Sequence, residues 1–197
     1  MSKNILIFGS SGGIGAATKS AFLKAKYAVI AVNRGQINFT NANSDKKIQS
    51  LLSIYNPDII INCAGHFADN KETHNKTMDV NVGSNWSIIR YYMENPPATP
   101  VKIIMVGSSA CRAGRKDYIL YAASKSALYN LWQGVRDYFV DTNVLVGLIN
   151  PVRTRTKMID MLTTSVCLEP EDVAKEILNM ASTQTSECVD MEYPKEN

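Results

Sequence analysis

The sequence predicts an α/β fold with a doubly wound parallel sheet and helices on both of its faces. Short β-branched apolar runs alternate with stretches of helical apolar spacing, which is the pattern of strands and crossover helices. The runs are almost continuously apolar, as expected for parallel strands that helices cover on both faces. The length of 197 residues suits one domain, and we expect residues 1–197 to form it.

The predicted elements follow one another without a repeat, a linker or a low-complexity tract. Five apolar runs are the predicted strands: NILIFG (4–9), YAVIAVNR (27–34), DIIINCAG (58–65), VKIIMVGSS (101–109) and NVLVGLINP (143–151). The predicted helices are 15–25, 45–55, 78–94, 124–140 and 169–182. A proline and acidic residues open the last helix, which is a helix-start signal, and ECVDMEY (187–193) adds a short final strand.

Composition and charge exclude several classes of function. The formal net charge is only +3 and no run of Lys or Arg exists, so we expect neither a nucleic-acid partner nor a membrane partner. No apolar stretch is long enough to span a bilayer, and the start of the chain lacks the features of a signal peptide. The four cysteines show neither metal-ligand spacing nor disulfide density. We therefore expect no metal and a reduced, cytoplasmic setting.

The glycine-rich turn GSSGGIG (9–15) between the first strand and the first helix is a candidate phosphate-binding loop. Glycines permit a tight turn and a close approach of backbone to phosphate, and the N–H groups at the helix start face an anion. A purely structural turn is the alternative, but the position favours dinucleotide binding. The predicted cofactor contacts here are Gly9, Ser10, Ser11, Gly13, Ile14 and Gly15.

The end of the second strand bears on the choice of dinucleotide. Folds that prefer NAD usually carry an acid here, which hydrogen-bonds the ribose 2′-hydroxyl. Asn33 occupies this place and Arg34 follows, and an arginine can pair bidentately with a 2′-phosphate. Both residues are predicted cofactor contacts, with NADP(H) preferred and NAD(H) possible. The alternative is that Arg34 is a solvated loop charge.

Tyr121 and Lys125 in YAASK stand four residues apart, which on a helix puts them on one face. A free tyrosine has a pKa of about 10, too high for efficient proton exchange near neutrality. A nearby ammonium stabilises the phenolate, so we expect Lys125 to lower the pKa of Tyr121. Tyr118 has no lysine four residues later and is predicted to be a packing or pocket-wall residue.

Six motifs in one order resemble the short-chain dehydrogenase/reductase family: the glycine loop, NCAG (62–65), VNVG (80–83), GSSA (107–110), YAASK (121–125) and NPVRTRT (150–156). The resemblance covers nearly the whole chain. It implies a Rossmann-like fold and a nicotinamide-dependent oxidoreductase. Phe8, Cys63 and Val152 depart from the family's motifs, but none of them touches a proton-transfer group.

The resemblance also assigns roles to single residues. Tyr121 would be the catalytic acid/base with Lys125 as its partner, Ser109 would hold the substrate oxygen, and Asn81 would support a proton-relaying water. Ser108 fits the family's spacing by count, whereas the alignment of the preceding strand favours Ser109, which we prefer. Further implied cofactor contacts, besides Tyr121 and Lys125, are Asn38, Asn62, Ala64, Gly65, Pro151 and Thr156.

The candidate substrate contacts, besides Ser109 and Tyr121, are Arg153 and Arg155, which follow the fifth strand and could grip a phosphate or carboxylate. The alternative is a solvated loop or a cofactor contact; Arg112 and Arg115 are further possible substrate contacts. A short lid between residues 156 and 169 suits a small, polar substrate. The stretch 149–176 is similar to reductases that act on sugar phosphates such as ribulose 5-phosphate.

The expected function is an NADP(H)-dependent oxidoreductase that transfers hydride between nicotinamide and a small polar carbonyl or alcohol, with a sugar phosphate as the leading substrate. The alternative is a non-catalytic NADP(H)-binding sensor or scaffold protein. In the resembled family, the helices that bear Asn81 and Lys125 commonly form a dimer face. A homodimer or homotetramer is therefore expected.

Overall fold

The computed structural model describes residues 3–67, 69–71, 74–158 and 166–193. Its centre is a six-stranded parallel sheet. The strands are β1 (Asn4–Phe8), β2 (Ala28–Val32), β3 (Ile59–Asn62), β4 (Val101–Val106), β5 (Val144–Asn150) and β6 (Glu187–Asp190). The α-helices are α1 (Gly13–Lys24), α2 (Ser44–Tyr55), α3 (His74–Met78), α4 (Ser84–Glu94), α5 (Ile119–Tyr138) and α6 (Pro170–Ser182). A π-helical turn (Asp79–Gly83) joins α3 to α4, and a 3₁₀ turn (Ser109–Arg112) precedes α5.

The strand order is β2-β1-β3-β4-β5-β6, so the chain winds outward from β1 first in one direction and then in the other. This reversal creates a topological switch point between β1 and β3, and ligands bind beyond the carboxyl ends of the strands at such points. Phe8 is in register with Val32 on one side and with Asn62 on the other. The segments that follow these three strands therefore lie side by side at one edge of the sheet.

Alternate residues of the strands feed two apolar layers. Leu6 and Phe8 pack in one layer with α2, α4 and α5, whereas Ile5 and Ile7 pack in the other with α1 and α6. All four side chains are 0% exposed, which explains why the strand sequences are apolar without interruption. Burial on both faces holds the sheet in place and leaves its carboxyl edge open for binding.

The structure confirms the predicted doubly wound α/β fold, and every predicted strand and helix is present. β4 ends at Val106 instead of residue 109, and the 3₁₀ turn begins at Ser109. α5 begins at Ile119 instead of residue 124, so Tyr121 and Lys125 share one helix. The π-helical turn interrupts the predicted helix 78–94. None of the helices in the described ranges is long and apolar enough to cross a bilayer.

Candidate active site

A cavity of about 230 Å³ lies at the carboxyl edge of the sheet. Its wall combines the start of α1, the segments after β3, β4 and β5, and one face of α5. The predicted site residues on this wall are Ile14, Ala64, Gly65, Ser109, Tyr121, Lys125, Pro151, Arg153 and Thr156. Wall residues that the sequence analysis did not assign to the site include Cys63, Phe67, Thr154, Met158 and Tyr193.

The glycine-rich turn is packed so closely that larger residues would not fit. Gly9 has a φ of +72°, and a Cβ there would lie 2.6 Å from the backbone nitrogen of Ala64. A Cβ on Gly15 would lie 2.1 Å from the carbonyl oxygen of Gly9. A Cβ on Gly13 would lie 2.5 Å from the Thr156 side chain, so the fold brings the loop after β5 against the glycine turn.

The amino end of α1 is suited to an anion. Gly12 stands at the N-cap without a side-chain hydrogen bond, and the first turn carries no acidic residue. The exposed backbone N–H groups and the helix dipole favour a negative charge there. Ser10 is 7% exposed and donates its N–H to the Val32 carbonyl (3.1 Å), which fixes the turn, and Ser11 is exposed beside it. These features fit the pyrophosphate of a dinucleotide.

Arg34 is exposed in the turn after β2. The side-chain oxygens of both nearby asparagines accept hydrogen bonds within the turn. The side-chain oxygen of Asn33 accepts the N–H of Gly35 at 2.9 Å. The side-chain oxygen of Asn38 accepts the Thr40 backbone N–H at 3.2 Å and the Thr40 hydroxyl at 2.9 Å. In this segment Arg34 is therefore the residue best suited to meet a 2′-phosphate, whereas Asn33 and Asn38 shape the turn.

Lys125 is a buried cation beside the phenol. Its side chain lies on α5, the residue is 4% exposed, and its ammonium donates to the Val106 carbonyl at 2.9 Å. The ammonium nitrogen is 5.8 Å from the centroid of the Tyr121 ring. Burial lowers the pKa of Lys125 to about 8. The charge of this group therefore changes within the pH range in which enzymes are assayed.

The pKa of Tyr121 contradicts the expectation from its spacing to Lys125. Burial raises the pKa of the Tyr121 hydroxyl, and a hydrogen bond with the Ser108 side chain acts in the opposite direction. The predicted lowering by Lys125 is wrong for this structure, because desolvation of the phenolate is the larger effect. Tyr121 is therefore a protonated phenol at neutral pH, which suits a proton donor.

Of the two candidate serines, Ser108 is the one that meets the Tyr121 hydroxyl. Its Oγ accepts the N–H of Ala110 at 3.2 Å and so caps the 3₁₀ turn, which leaves the serine hydroxyl hydrogen available to donate. Ser109 lies within the turn, and its N–H donates to the Pro151 carbonyl at 2.9 Å. Ser108 therefore fits the role of holding the substrate oxygen better than the preferred Ser109, although both serines line the cavity.

Asn81 is fully buried in the π-helical turn, and such turns often occur at functional sites. Its side-chain oxygen accepts the His66 N–H at 2.8 Å, and its side-chain nitrogen donates to the His66 carbonyl and to Ser124 Oγ, both at 2.9 Å. Ser124 donates to the Tyr121 carbonyl at 2.7 Å. Both amide hydrogens of Asn81 are thus used by the protein. Its side chain joins the segment after β3 to α5, and the water contact that the resemblance gives to Asn81 stays a prediction.

Asn62 lies beneath the cavity and does not line it. It is 1% exposed and donates to Ser84 Oγ at 2.8 Å and to Asn85 Oδ1 at 2.9 Å. Its own side-chain oxygen accepts the Ala64 N–H at 3.1 Å. Asn62 thereby shapes the backbone that carries Ala64 and Gly65 to the wall, and its predicted cofactor contact stays a prediction.

The two arginines predicted to bind substrate lie in different surroundings. Arg153 is on the cavity wall, whereas the guanidinium of the exposed Arg155 donates to Glu169 at 2.8 Å. Arg155 does not belong to the described cavity wall, and its predicted substrate contact stays a prediction. Arg115, from the segment between β4 and α5, is on the wall with Arg153. Residues 159–165 of the expected short lid lie outside the described residues.

An aromatic cluster forms one side of the cavity. The ring centroid of Phe67 lies 5.3 Å from that of Tyr118 and 5.1 Å from that of Tyr121, and the two tyrosine centroids are 6.0 Å apart. Tilted and edge-on pairs of this kind stabilise one another and restrict the orientation of the Tyr121 ring. Phe67 was not predicted to belong to the site. Its position two residues after Gly65 is the feature of the sequence that could have indicated it.

A model of a known protein family matches the part of the chain that carries most of this site. A family model described as short chain dehydrogenase matches residues 46–166, which is more than half of the chain. The chain belongs to the short-chain dehydrogenase family. The resemblance drawn from the motifs is thereby confirmed, and this short-chain dehydrogenase is an oxidoreductase by family.

Individual relatives of this short-chain dehydrogenase are distant. It is 28% identical over 183 residues to the uncharacterized oxidoreductase YvrD of Bacillus subtilis. That match covers 79% of this chain and 70% of the relative. It is 28% identical over 92 residues to the bifunctional ribulose 5-phosphate reductase/CDP-ribitol pyrophosphorylase of Haemophilus influenzae. That match covers 43% of this chain and only 19% of the length of the bifunctional protein.

The fold is also shared with solved structures. The structure of ElxO with NADP bound is similar with a TM-score of 0.83 and 22% sequence identity, over 96% of this chain and 97% of that one. At this identity the similarity shows the fold alone.

Proposed function

We propose that this short-chain dehydrogenase catalyses the NADPH-dependent reduction of a small, polar carbonyl compound. The observation that carries the proposal is the meeting of Tyr121, Ser108 and Lys125 on the wall of one cavity, with the glycine turn at its edge. Residues 1–197 would act as one domain that holds both cofactor and substrate. A non-catalytic sensor is not favoured, since such a protein needs no buried ammonium beside a phenol.

The roles of the residues follow from their chemistry. The glycine turn, Arg34, Ala64, Gly65 and Lys125 would hold the dinucleotide, whose nicotinamide would supply a hydride to the carbonyl carbon. Tyr121 donates its proton to the substrate oxygen as negative charge develops there. Ser108 donates a hydrogen bond to the same oxygen, and the Lys125 ammonium stabilises the phenolate that remains.

The protonation states near neutral pH suit the proton transfer that reduction requires. Reduction begins with a protonated phenol, and burial raises the pKa of Tyr121 and so keeps the phenol protonated. Oxidation would begin with the phenolate, which the same burial disfavours. Lys125, with a pKa of about 8, is mainly charged at pH 7 and can offset the charge that forms on Tyr121 during reduction.

We propose NADP(H) as the preferred cofactor, with Arg34 as the residue that selects it.

Replacing Arg34 with Glu is expected to raise the Kd for NADPH about 10- to 100-fold, because a charge-assisted hydrogen bond is lost and a like charge is added. The Kd for NADH should stay within about threefold. Titration of each nucleotide by intrinsic fluorescence measures both values, with Arg136→Glu on α5 as a control of equal charge change. An equal effect on both nucleotides would contradict the assignment.

We propose a phosphorylated sugar as the substrate class. Arg115 and Arg153 stand on the same cavity wall as Tyr121, and guanidinium groups bind phosphate through paired hydrogen bonds. The matched segment of the Haemophilus influenzae relative supports this class, since the name of that protein includes ribulose 5-phosphate reductase.

The substrate class is tested by comparing ribulose 5-phosphate with unphosphorylated ribulose. Replacing Arg115 with Ala is expected to raise KM for ribulose 5-phosphate about 10-fold or more and to leave KM for ribulose unchanged. Arg155→Ala is the matched control and should change neither value, because Arg155 pairs with Glu169. NADPH oxidation followed at 340 nm gives both constants. The proposal fails if Arg155→Ala matches Arg115→Ala, or if both substrates weaken together.

We also propose a cytoplasmic homodimer or homotetramer. Trp86 on α4 is 43% exposed, and Ile119 and Tyr138 on α5 are 61% and 58% exposed. Large apolar side chains at the surface of these two helices support contact with a second copy.

A further inference from the structure

The segment that carries Ser108 is tied to the last strand of the sheet through Asn150. This residue ends β5 and is 1% exposed. Its Oδ1 accepts the backbone N–H of Ser108 at 3.1 Å. Its Nδ2 donates to Asp190 Oδ1 at 2.9 Å and to Cys188 Sγ at 3.3 Å. One buried amide therefore joins the serine to β6, although Asn150 lies 42 positions after Ser108 and 40 positions before Asp190 in the chain.

The carboxylate of Asp190 also holds the other end of the segment that carries Ser108. Asp190 Oδ2 accepts a hydrogen bond from Arg112 at 2.6 Å, and Arg112 ends the 3₁₀ turn. The Arg112 guanidinium also lies 4.1 Å from the centroid of the Tyr129 ring on α5. The turn is thus held at its N-cap residue, Ser108, through Asn150 and at its last residue through Arg112, with Asp190 common to both.

The fit around Asn150 leaves little freedom. A Cβ on Gly107 would lie 2.0 Å from Asn150 Oδ1, so only glycine allows the amide to reach the next residue. Ser108 Oγ is fixed in turn by the N–H of Ala110. Asn150, Asp190 and Arg112 do not belong to the described cavity wall, so their effect on chemistry has to pass through Ser108.

We propose that Asn150 is a positioning residue that aims the Ser108 hydroxyl at the reacting oxygen, and that the Asp190–Arg112 pair holds Asn150 in the required orientation. The proposal rests on the proposed carbonyl reduction. Hydrogen bonds to a developing oxyanion act only when the donor is held in place before reaction, and small displacements of it cost rate steeply. β6 is therefore part of the catalytic apparatus through this amide.

A double-mutant cycle separates positioning from a general structural role. Asn150→Ala should lower kcat for NADPH-dependent reduction of ribulose 5-phosphate about 10- to 100-fold, with KM within about threefold. In a Ser108→Ala background the same change should cost no more than about threefold, because the donor it aims is already absent. Equal losses in both backgrounds, or an Asn150→Ala enzyme as fast as wild type, would overturn the proposal.

Two controls keep the cycle interpretable. Asn143→Ala removes side-chain hydrogen bonds to the Pro97 and Ala98 carbonyls just before β5, at its opposite end, and should leave kcat unchanged. If Asn150→Ala does not fold, Asp190→Asn serves in its place. It keeps an acceptor for Asn150 but removes the charge that holds Arg112, and kcat should fall about 3- to 10-fold. An Asp190→Asn enzyme with unchanged kcat would count against the proposal.

Amide hydrogen exchange gives a readout that does not depend on turnover. In the Asn150→Ala protein the Ser108 N–H should exchange faster, whereas the Gly107 N–H, which donates to the Ile149 carbonyl at 2.7 Å, should stay protected. Unchanged exchange at Ser108 would overturn the positioning claim. If the wild type reduces no carbonyl substrate, the proposed function fails, while exchange still decides whether Asn150 holds the serine.

Discussion

Replacing Tyr121 with Phe is expected to lower kcat for carbonyl reduction about 10²- to 10⁴-fold, the usual contribution of a general acid. The substitution removes the hydroxyl that would give a proton to the substrate oxygen and keeps the ring. Packing against Phe67 and Tyr118 is retained, so the free energy of unfolding should change little. NADPH oxidation in the presence of ribulose 5-phosphate measures the loss, and fluorescence titration checks that NADPH still binds.

Tyr118→Phe is the matched control for this experiment. Tyr118 lies three residues earlier, belongs to the same cavity wall and the same aromatic cluster, and loses the same oxygen in the variant. Its kcat should remain within about threefold of wild type, because it has no ammonium beside its ring. Turnover of Tyr121→Phe close to that of Tyr118→Phe would remove Tyr121 from the chemistry and would revive the sensor hypothesis.

The fold could be predicted because its signals are local and repeated. The apolar runs around Leu6, Ile60 and Ile104 reflect burial on both faces of a parallel sheet, and helical spacing between them leaves little choice of architecture. The glycine turn could be located for the same reason, since its position between the first strand and first helix is visible in the sequence. The packing of Gly13 against Thr156 is not visible, because it joins segments distant in the chain.

Sequence spacing does not separate Ser108 from Ser109, because turn geometry decides which hydroxyl meets Tyr121. Ser108 and Ser109 are adjacent and chemically identical, and the difference between them arises from the 3₁₀ turn that Ser108 caps. A strand prediction that runs to residue 109 cannot contain that turn. Asn150 was overlooked for a related reason. Its partners, Ser108 and Asp190, come together only when β4, β5 and β6 are aligned in the sheet.

Charged partners that lie far along the chain cannot be predicted from sequence spacing. Arg155 has the sequence context of a substrate contact, yet the isolated bridge between Thr154 and Leu168 places it beside Glu169. Two charged residues 14 positions apart give no recognisable helix spacing. The pKa of Tyr121 shows the same limit, because residue spacing reveals the neighbouring ammonium but not the extent of burial, and burial is the larger effect.

The catalytic efficiency of carbonyl reduction is expected to fall as the pH rises through about 8. Burial lowers the pKa of Lys125 to about 8 from an ordinary value of 10.5, so the ammonium is present below that pH and is lost above it. Tyr121, whose pKa burial raises, stays protonated across this range. The alkaline limb of kcat/KM therefore reports Lys125, since this parameter follows ionisations of the free enzyme. Assays with ribulose 5-phosphate between pH 6 and 10 measure it.

Substitutions at Lys125 separate its charge from its shape. Lys125→Met should lower kcat/KM at pH 7 about 10²- to 10³-fold, because Tyr121 must then become a phenolate in a buried place with no cation beside it. Lys125→Arg keeps a charge that does not titrate below pH 12, so its profile should lack the limb near pH 8 even where its rate is reduced. Lys116→Met, at an exposed lysine before α5, should reproduce the wild-type profile. A limb that persists in Lys125→Arg would assign the ionisation to another group, and the stabilisation of the phenolate would then have to come from the bound nucleotide alone.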